Sequence, residues 1–162
     1  MSWTITDQIV GSQPIAETST VAQHALGLEV NASDPTNGSG KFIYLKGVGS
    51  TAIGSWVLYL PDDWTTTLLD ENDIGSVAVA MSANVADQYG WYQIVGKASA
   101  LALADFADNG RVYATSTDGS VDDTVVDGDL VHNALGASTI VAAGLADFEI
   151  NRPYCDDIAS ND

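Results

Sequence analysis

The sequence predicts an all-β fold: a compact antiparallel β-barrel or sandwich with an extended N-terminal arm. Three observations carry this. Apolar residues alternate with small or polar ones along several stretches, as the two-residue side-chain period of a strand requires. Turn signals built from Gly, Pro, Asn and Asp recur at intervals of about 6 to 12 residues. A helical period is almost absent. The pattern shows no internal repeat and does not separate a barrel from a sandwich.

The clearest stretch runs from Ile74 to Ala98. Val77, Val79 and Met81 fall on one face, with Ser76, Ala78, Ala80 and Ser82 on the other. Tyr89 to Gly96 (YGWYQIVG) is aromatic and β-branched with apolar residues on both faces, the mark of a strand covered on both sides. The residues between are too few for a helical crossover, so the two strands are expected to pair antiparallel at the centre of the core.

Taken from the start, residues 1–20 are polar and interrupted by Gly11 and Pro14. Trp3 and Ile5 nevertheless alternate with Thr4 and Thr6, and Ile9 and Val10 follow. The segment reads either as a frayed terminus or as a flexible arm that orders on a partner through Trp3, Thr4, Ile5, Ile9 and Val10. The β domain, residues 21–153, is expected to begin with a strand at Val21 to Val30. A loop follows from Asn31 to Gly40, with a turn at Asn37-Gly38. Lys41 to Val48 is the next strand, Phe42 and Tyr44 opposing Ile43 and Leu45. Being apolar on both faces it needs a covering neighbour, which makes Phe42, Tyr44, Trp91 and Tyr92 candidates for core or trimer contacts.

Gly49 to Gly54 turns the chain, Ser55 to Leu60 returns, and Pro61-Asp62-Asp63 breaks that strand. Thr65 to Leu69 is a short β-branched run, and Asp70 to Asp73 turns into the central pair. In Ala98 to Ala104, Ala and Leu favour helix, but the alternation of Leu101 and Leu103 favours strand. An irregular turn through Phe106 closes at Asn109-Gly110. Strands are expected at Arg111 to Thr115, Asp129 to Ala134 and Leu145 to Ile150, the last stopped by Pro153. Residues 154–162 form an acidic tail, expected to be mobile.

The 162 residues hold 22 acidic and five basic side chains, a net charge of −17. Such a surface repels phosphate backbones and anionic lipid, so neither nucleic acid nor membrane is an expected partner. It fits high solubility, or a cationic or basic partner. No signal-peptide pattern is visible at the start and no apolar run is long enough to span a bilayer. One cysteine, Cys155, excludes an intrachain disulfide.

Catalytic signals fail one by one. Gly38-Ser39-Gly40-Lys41 lacks the upstream glycine of a phosphate loop, where Pro35 stands, and the hydroxyl residue after the lysine, where Phe42 stands. Asp118, Asp122, Asp123, Asp127 and Asp129 do not follow calcium-loop spacing, so a solvated acidic loop is expected. His24 and His132 stand alone in sequence, and no nucleophile elbow or zinc-protease motif occurs. Asp156 and Asp157 beside Cys155 disfavour a thiolate. No enzyme, no cofactor and no metal site is expected.

Six stretches taken together carry a resemblance: Phe42 to Val48 (FIYLKGV), Gly54 to Val57 (GSWV), Val77 to Ser82 (VAVAMS), Tyr89 to Ala98 (YGWYQIVGKA), Gly119 to Asp123 (GSVDD) and Phe148 to Pro153 (FEINRP). In that order they resemble the small capsid decoration proteins of tailed bacteriophages, also called cement or head-stabilising proteins, over roughly Val21 to Pro153. The resemblance implies a β-rich structural protein on the outer surface of the virion. It would form homotrimers that clamp neighbouring major capsid proteins, with an N-terminal arm that orders on the capsid. It brings no active site. The alternative class is a surface β module that binds glycans or mediates adhesion, with Trp56, Trp64 and Trp91 as stacking platforms.

Overall fold

The computed structural model describes residues 2–159, which form eleven strands and no helix. The strands are β1 (Thr4–Ile5), β2 (Glu29–Asp34), β3 (Gly38–Lys46), β4 (Trp56–Tyr59), β5 (Thr66–Leu68) and β6 (Gly75–Ala80). Then follow β7 (Tyr89–Ala102), β8 (Arg111–Ala114), β9 (Val121–Asp122), β10 (Leu130–Gly136) and β11 (Gly144–Cys155). All belong to one sheet, in the order β1-β2-β3-β7-β9-β8-β10-β11-β6-β4-β5, and β7 pairs in addition with β11 and β6. The join between β7 and β9 is one parallel residue pair, Ala102 with Val121. With so short a join the pairing fits a sandwich, and β11 returns to β7 through eight residue pairs.

β7 is the pivot, and its sequence explains how it serves two layers. Its first half pairs with β3, from Tyr89 opposite Lys46 to Val95 opposite Lys41, and its second half pairs with β11. The register with β3 slips around Ile94. Next comes Gly96, at φ 109°, where a Cβ would sit 2.7 Å from the Ser39 carbonyl oxygen. A bulge followed by a glycine bends the strand sharply. Tyr92 and Ile94 therefore pack with Ile43, Leu45, Val57, Tyr59, Ala78 and Ala80, while Ala98, Ala100 and Ala102 join a separate cluster with Trp56, Val77, Val79, Phe106, Val131 and Phe148.

The alternation in β6 now has a reason. Its bulky face, Val77 and Val79, enters the layer of Phe148, and its small face, Ala78 and Ala80, enters that of Tyr92. Both faces are buried. The expected pairing of β6 with β7 is present but short, Val79 with Gln93 and Ala80 with Tyr92, because β6 spends the rest of its length on β4 and β11. A third cluster sits on the far face of β3: Phe42, Tyr44, Trp91, Val30, Ala32 and Met81, with Ile15 from the N-terminal segment.

Several boundaries differ from the sequence reading. No strand forms at Val21 to Leu28; β2 starts at Glu29 and runs through the expected loop to Asp34, because Val30 and Ala32 have a face to bury. The turn is Pro35-Thr36-Asn37, closed by Gly38 at φ 79° and by the Asp34 carboxylate, which accepts the Thr36 and Asn37 N–H groups at 2.9 Å each. Ala98 to Ala102 is strand, continuous with β7. Pro153 does not end β11, which continues to Cys155. The proline falls where the β10–β11 register is irregular, beside Asn133 (φ 60°) and Arg152 (φ 49°), so its missing N–H breaks no regular ladder. The expected acidic tail thus begins as strand, and residues 160–162 lie outside the described residues.

Candidate functional site

The segment expected as a free arm lies along its own domain. β1 pairs with β2, Thr4 opposite Ser33 and Ile5 opposite Ala32, and forms one edge of the sheet. The alternation seen in sequence persists through the segment: Trp3, Ile5, Asp7 and Ile9 turn inward, and Thr4, Thr6, Gln8 and Val10 are exposed. The Trp3 ring meets Phe42 edge-on with centroids 5.0 Å apart. Ile15 is buried in the same cluster.

Polar pins fix the rest. The Ser2 N–H donates to Asp34 Oδ2 at 2.8 Å, while Asp34 Oδ1 takes the turn amides. These donors, the Ser2 amide first, hold the Asp34 carboxyl down at about 2. The Asn31 N–H donates to Asp7 at 2.6 Å, and the hydrogen bonds from Asn31 hold the Asp7 carboxyl below its ordinary range. Ser19 and Tyr89 exchange backbone hydrogen bonds at 3.0 and 2.8 Å.

At the centre is Gln13, which is buried. Its backbone N–H donates to His24 Nε2 at 3.0 Å and its carbonyl accepts the Trp91 indole N–H at 2.8 Å. Its side-chain oxygen accepts the Tyr44 hydroxyl at 2.6 Å, and its amide nitrogen donates to the carbonyls of Glu17 and Tyr89. One glutamine thus satisfies groups from the segment, β3 and β7. The expectation of an arm that is mobile when free is corrected by these contacts: a groove over β2 and β3 receives the inward side chains, and the polar interruptions are themselves paired. Sequence reasoning missed Gln13, Asp7 and Asp34. The continued alternation through Asp7 carried a signal for one of them; a lone Gln carries none.

The other candidates resolve toward packing. Phe42, Tyr44, Trp91 and Tyr92 have no exposed surface, so they are core side chains and not trimer contacts. Trp56 is equally buried, and Trp64 is half-buried against the Tyr92 layer, so of the three only Trp64 keeps exposed surface. Gly40 and Lys41 sit within β3, where a Cβ on Gly40 would come 2.9 Å from the Val95 carbonyl oxygen. The acidic residues serve local hydrogen bonds: Asp123 accepts from the Ala107 N–H at 2.9 Å and Asp129 from the Asn72 N–H at 2.7 Å. Among the described residues no group of three or more His, Cys, Asp or Glu is arranged to hold a metal.

His132 lies in β10 and His24 in the segment between β1 and β2. His132 Nε2 lies 3.2 Å from Asp156 and its ring stacks on Tyr154, at the mouth of a cleft of about 360 Å³ that Arg111 and Tyr113 also line. Among the described residues neither histidine has a serine or cysteine as its hydrogen-bond partner. Burial pushes the Cys155 thiol up to about 12, with Asp73, Asp129 and Asp156 adding to it, so the thiol is chemically quiet. A smaller cavity, about 200 Å³, lies under the N-terminal segment between Trp3, Pro14, Ile15, Ala16 and Met81. β1 forms one edge of the sheet, and the neighbouring Val10 is fully exposed. No protein-family model, no curated protein and no solved structure matches the chain.

Proposed function

We propose that this chain is a structural protein that decorates the outside of a tailed-phage capsid and stabilises the shell by bridging neighbouring major capsid proteins. The observation that carries the reading is the N-terminal edge. β1 is a two-residue strand at the end of the sheet, its Ile5 turned inward and its outer backbone without a strand partner among the described residues. An edge of this kind takes an added strand through backbone hydrogen bonds and needs no preformed pocket. The sandwich behind it is filled by packed aromatic and aliphatic side chains, which suits a clamp. A homotrimer would engage several capsid subunits at once, so modest contacts at each foot multiply into slow release. The −17 charge favours a basic patch on the capsid as the opposing surface. Binding of glycans by ring stacking would need exposed tryptophans, and Trp56 and Trp91 are fully buried.

The test is co-sedimentation with capsids assembled without this chain. The intact protein is expected to saturate them, and a variant lacking residues 2–12 is expected to stay folded by circular dichroism yet occupy few sites. Full decoration by the truncated protein would remove the edge from the proposal. No binding by the intact protein would end the capsid reading.

A further inference from the structure

We propose that His24 and Gln13 form a pH-sensitive latch, closed while His24 is neutral, that releases the N-terminal segment from the domain on mild acidification. The device does not depend on what the segment binds once free.

The geometry sets the direction. The Gln13 N–H donates to His24 Nε2 at 3.0 Å, so this nitrogen must carry a lone pair and the neutral ring bears its proton on Nδ1. Protonation would place an N–H on Nε2 facing the Gln13 N–H, two donors with no acceptor between them. Nothing nearby offsets that cost. On β3 the Tyr44 ring stands edge-on to the imidazole at 5.0 Å, and on β7 the Trp91 ring lies tilted at 5.3 Å. Of the titratable and charged groups on these elements, Lys46 pairs with Asp87 and Lys97 with Asp147, and Tyr89 and Glu17 enter the network through their carbonyls. Lys41 is exposed, and its charge, like those of Lys46 and Lys97, would oppose a second cation. Asp7 is committed to Asn31, Asp34 to Ser2 and the turn amides, and Glu29 to Arg152. Among the described residues no carboxylate forms an ion pair with His24. Burial alone holds its ring below the ordinary histidine range.

The sign follows. A histidine whose pKa is depressed on docking stabilises the docked state above its free value, about 6.5, and that contribution is lost as pH falls from there through the docked value. The effect reaches the whole segment because Gln13 also holds the Tyr44 hydroxyl, the Trp91 indole and the Tyr89 carbonyl. Shifting its backbone therefore loosens every tie to β3 and β7. The carboxylate pins at Asp7 and Asp34 titrate well below this range, so the latch opens first.

Hydrogen exchange of the intact chain, corrected for the intrinsic pH dependence of amide exchange, tests this between pH 7.5 and 5.0. Protection of the amides from Trp3 to Ser19, and of Tyr89 bonded to Ser19, is expected to fall by roughly tenfold, the scale of one lost hydrogen bond, while that of the rest of β7 and of β11 holds. His24→Gln offers a side-chain oxygen as acceptor and cannot titrate, so its profile is expected to be flat. Gln13→Ala is expected to lower protection across the range, which separates loss of the latch from general acid effects. A pH response retained in His24→Gln, or none in the unaltered protein, overturns the proposal. Should His24→Gln not fold, His24→Asn carries the same expectation, and loss of folding in both would assign His24 a structural role and reject the switch.

Discussion

Around Phe148, three aromatic rings meet edge-on: Trp56 at 5.1 Å and Phe106 at 5.1 Å, all without exposed surface, amid valines and alanines. Around Gln13, the corresponding work is done by five hydrogen bonds and by carboxylates that accept backbone amides. The first region is fixed by area removed from water, which no change of pH in the ordinary range alters. The second also relies on groups, His24 and the Asp7 and Asp34 carboxylates, whose hydrogen-bonding capacity depends on protonation. Regions of one sheet that are held so differently can open separately.

The largest test of this contrast is Phe148→Ala. Removing a fully buried ring from a packed cluster costs about 3–5 kcal/mol, a large share of a domain's stability. Denaturant midpoints by far-UV circular dichroism should fall for the sheet as a whole, with the edge lost in the same transition. Retention of the parental midpoint would mean that this layer is not what holds the sandwich.

How far the contrast was legible beforehand follows from the same physics. Apolar alternation is written directly in sequence, so the all-β class, the Phe42/Tyr44 against Ile43/Leu45 facing and the split of β6 were readable. The fusion of Ala98–Ala102 into β7 was not, because what joins the halves is the bend at Gly96, where Ser39 crowds the backbone from a distant hairpin. Pro153 read as a stop because its tolerance depends on the irregular register opposite Asn133. The edge was least legible of all. Trp3, Ile5 and Ile9 announced an apolar stripe without saying whose surface it covers, and Gln13 acquires meaning only when Tyr44, Trp91, His24 and Tyr89 converge on it. Gly47 belongs with these: a Cβ there would run into the Asn84 carbonyl, a contact no local pattern reveals.

The second test separates the regions by pH. Asp34, held at about 2, stabilises the docked edge above the ordinary carboxylate value of about 3.9, and that contribution is lost as pH falls toward 2. Cys155 and Tyr92 are pushed by burial in the opposite sense, both up to about 12. A raised pKa stabilises the fold while the unfolded group is still protonated and loses that contribution as pH rises, from about 8.5 for a thiol and about 10 for a tyrosine. Acid should thus expose the 2–19 segment to proteolysis before the far-UV circular dichroism of the sheet changes, whereas alkali should melt the sheet in one transition. Cys155→Ala should move the alkaline midpoint upward. The contrast fails if acid melts the core first or if that variant melts at lower pH than its parent.

The smallest expected effect concerns the tie between the two regions. Arg152, in β11, holds Glu29, in β2, through two hydrogen bonds of 2.8 and 2.7 Å, so a side chain of the Phe148 strand grips the strand on which the edge rests. The geometry is bidentate, the strongest form of such a pair, and Glu29 keeps Arg152 charged while Arg152 keeps Glu29 below its ordinary range. Both side chains remain substantially exposed, at 49% and 37%, so water and salt compete with the pair. Glu29→Gln is therefore expected to cost only about 0.2–1 kcal/mol, and less as salt is raised. Were the pair the coupling between the regions, the variant would also let the edge exchange faster at neutral pH. The backbone ladder from β2 through β3 to β7 already joins them, with six residue pairs at each step, so edge exchange should stay as it was. A cost well above 1 kcal/mol, or a loosened edge, would assign the coupling to this ion pair instead of to the shared sheet.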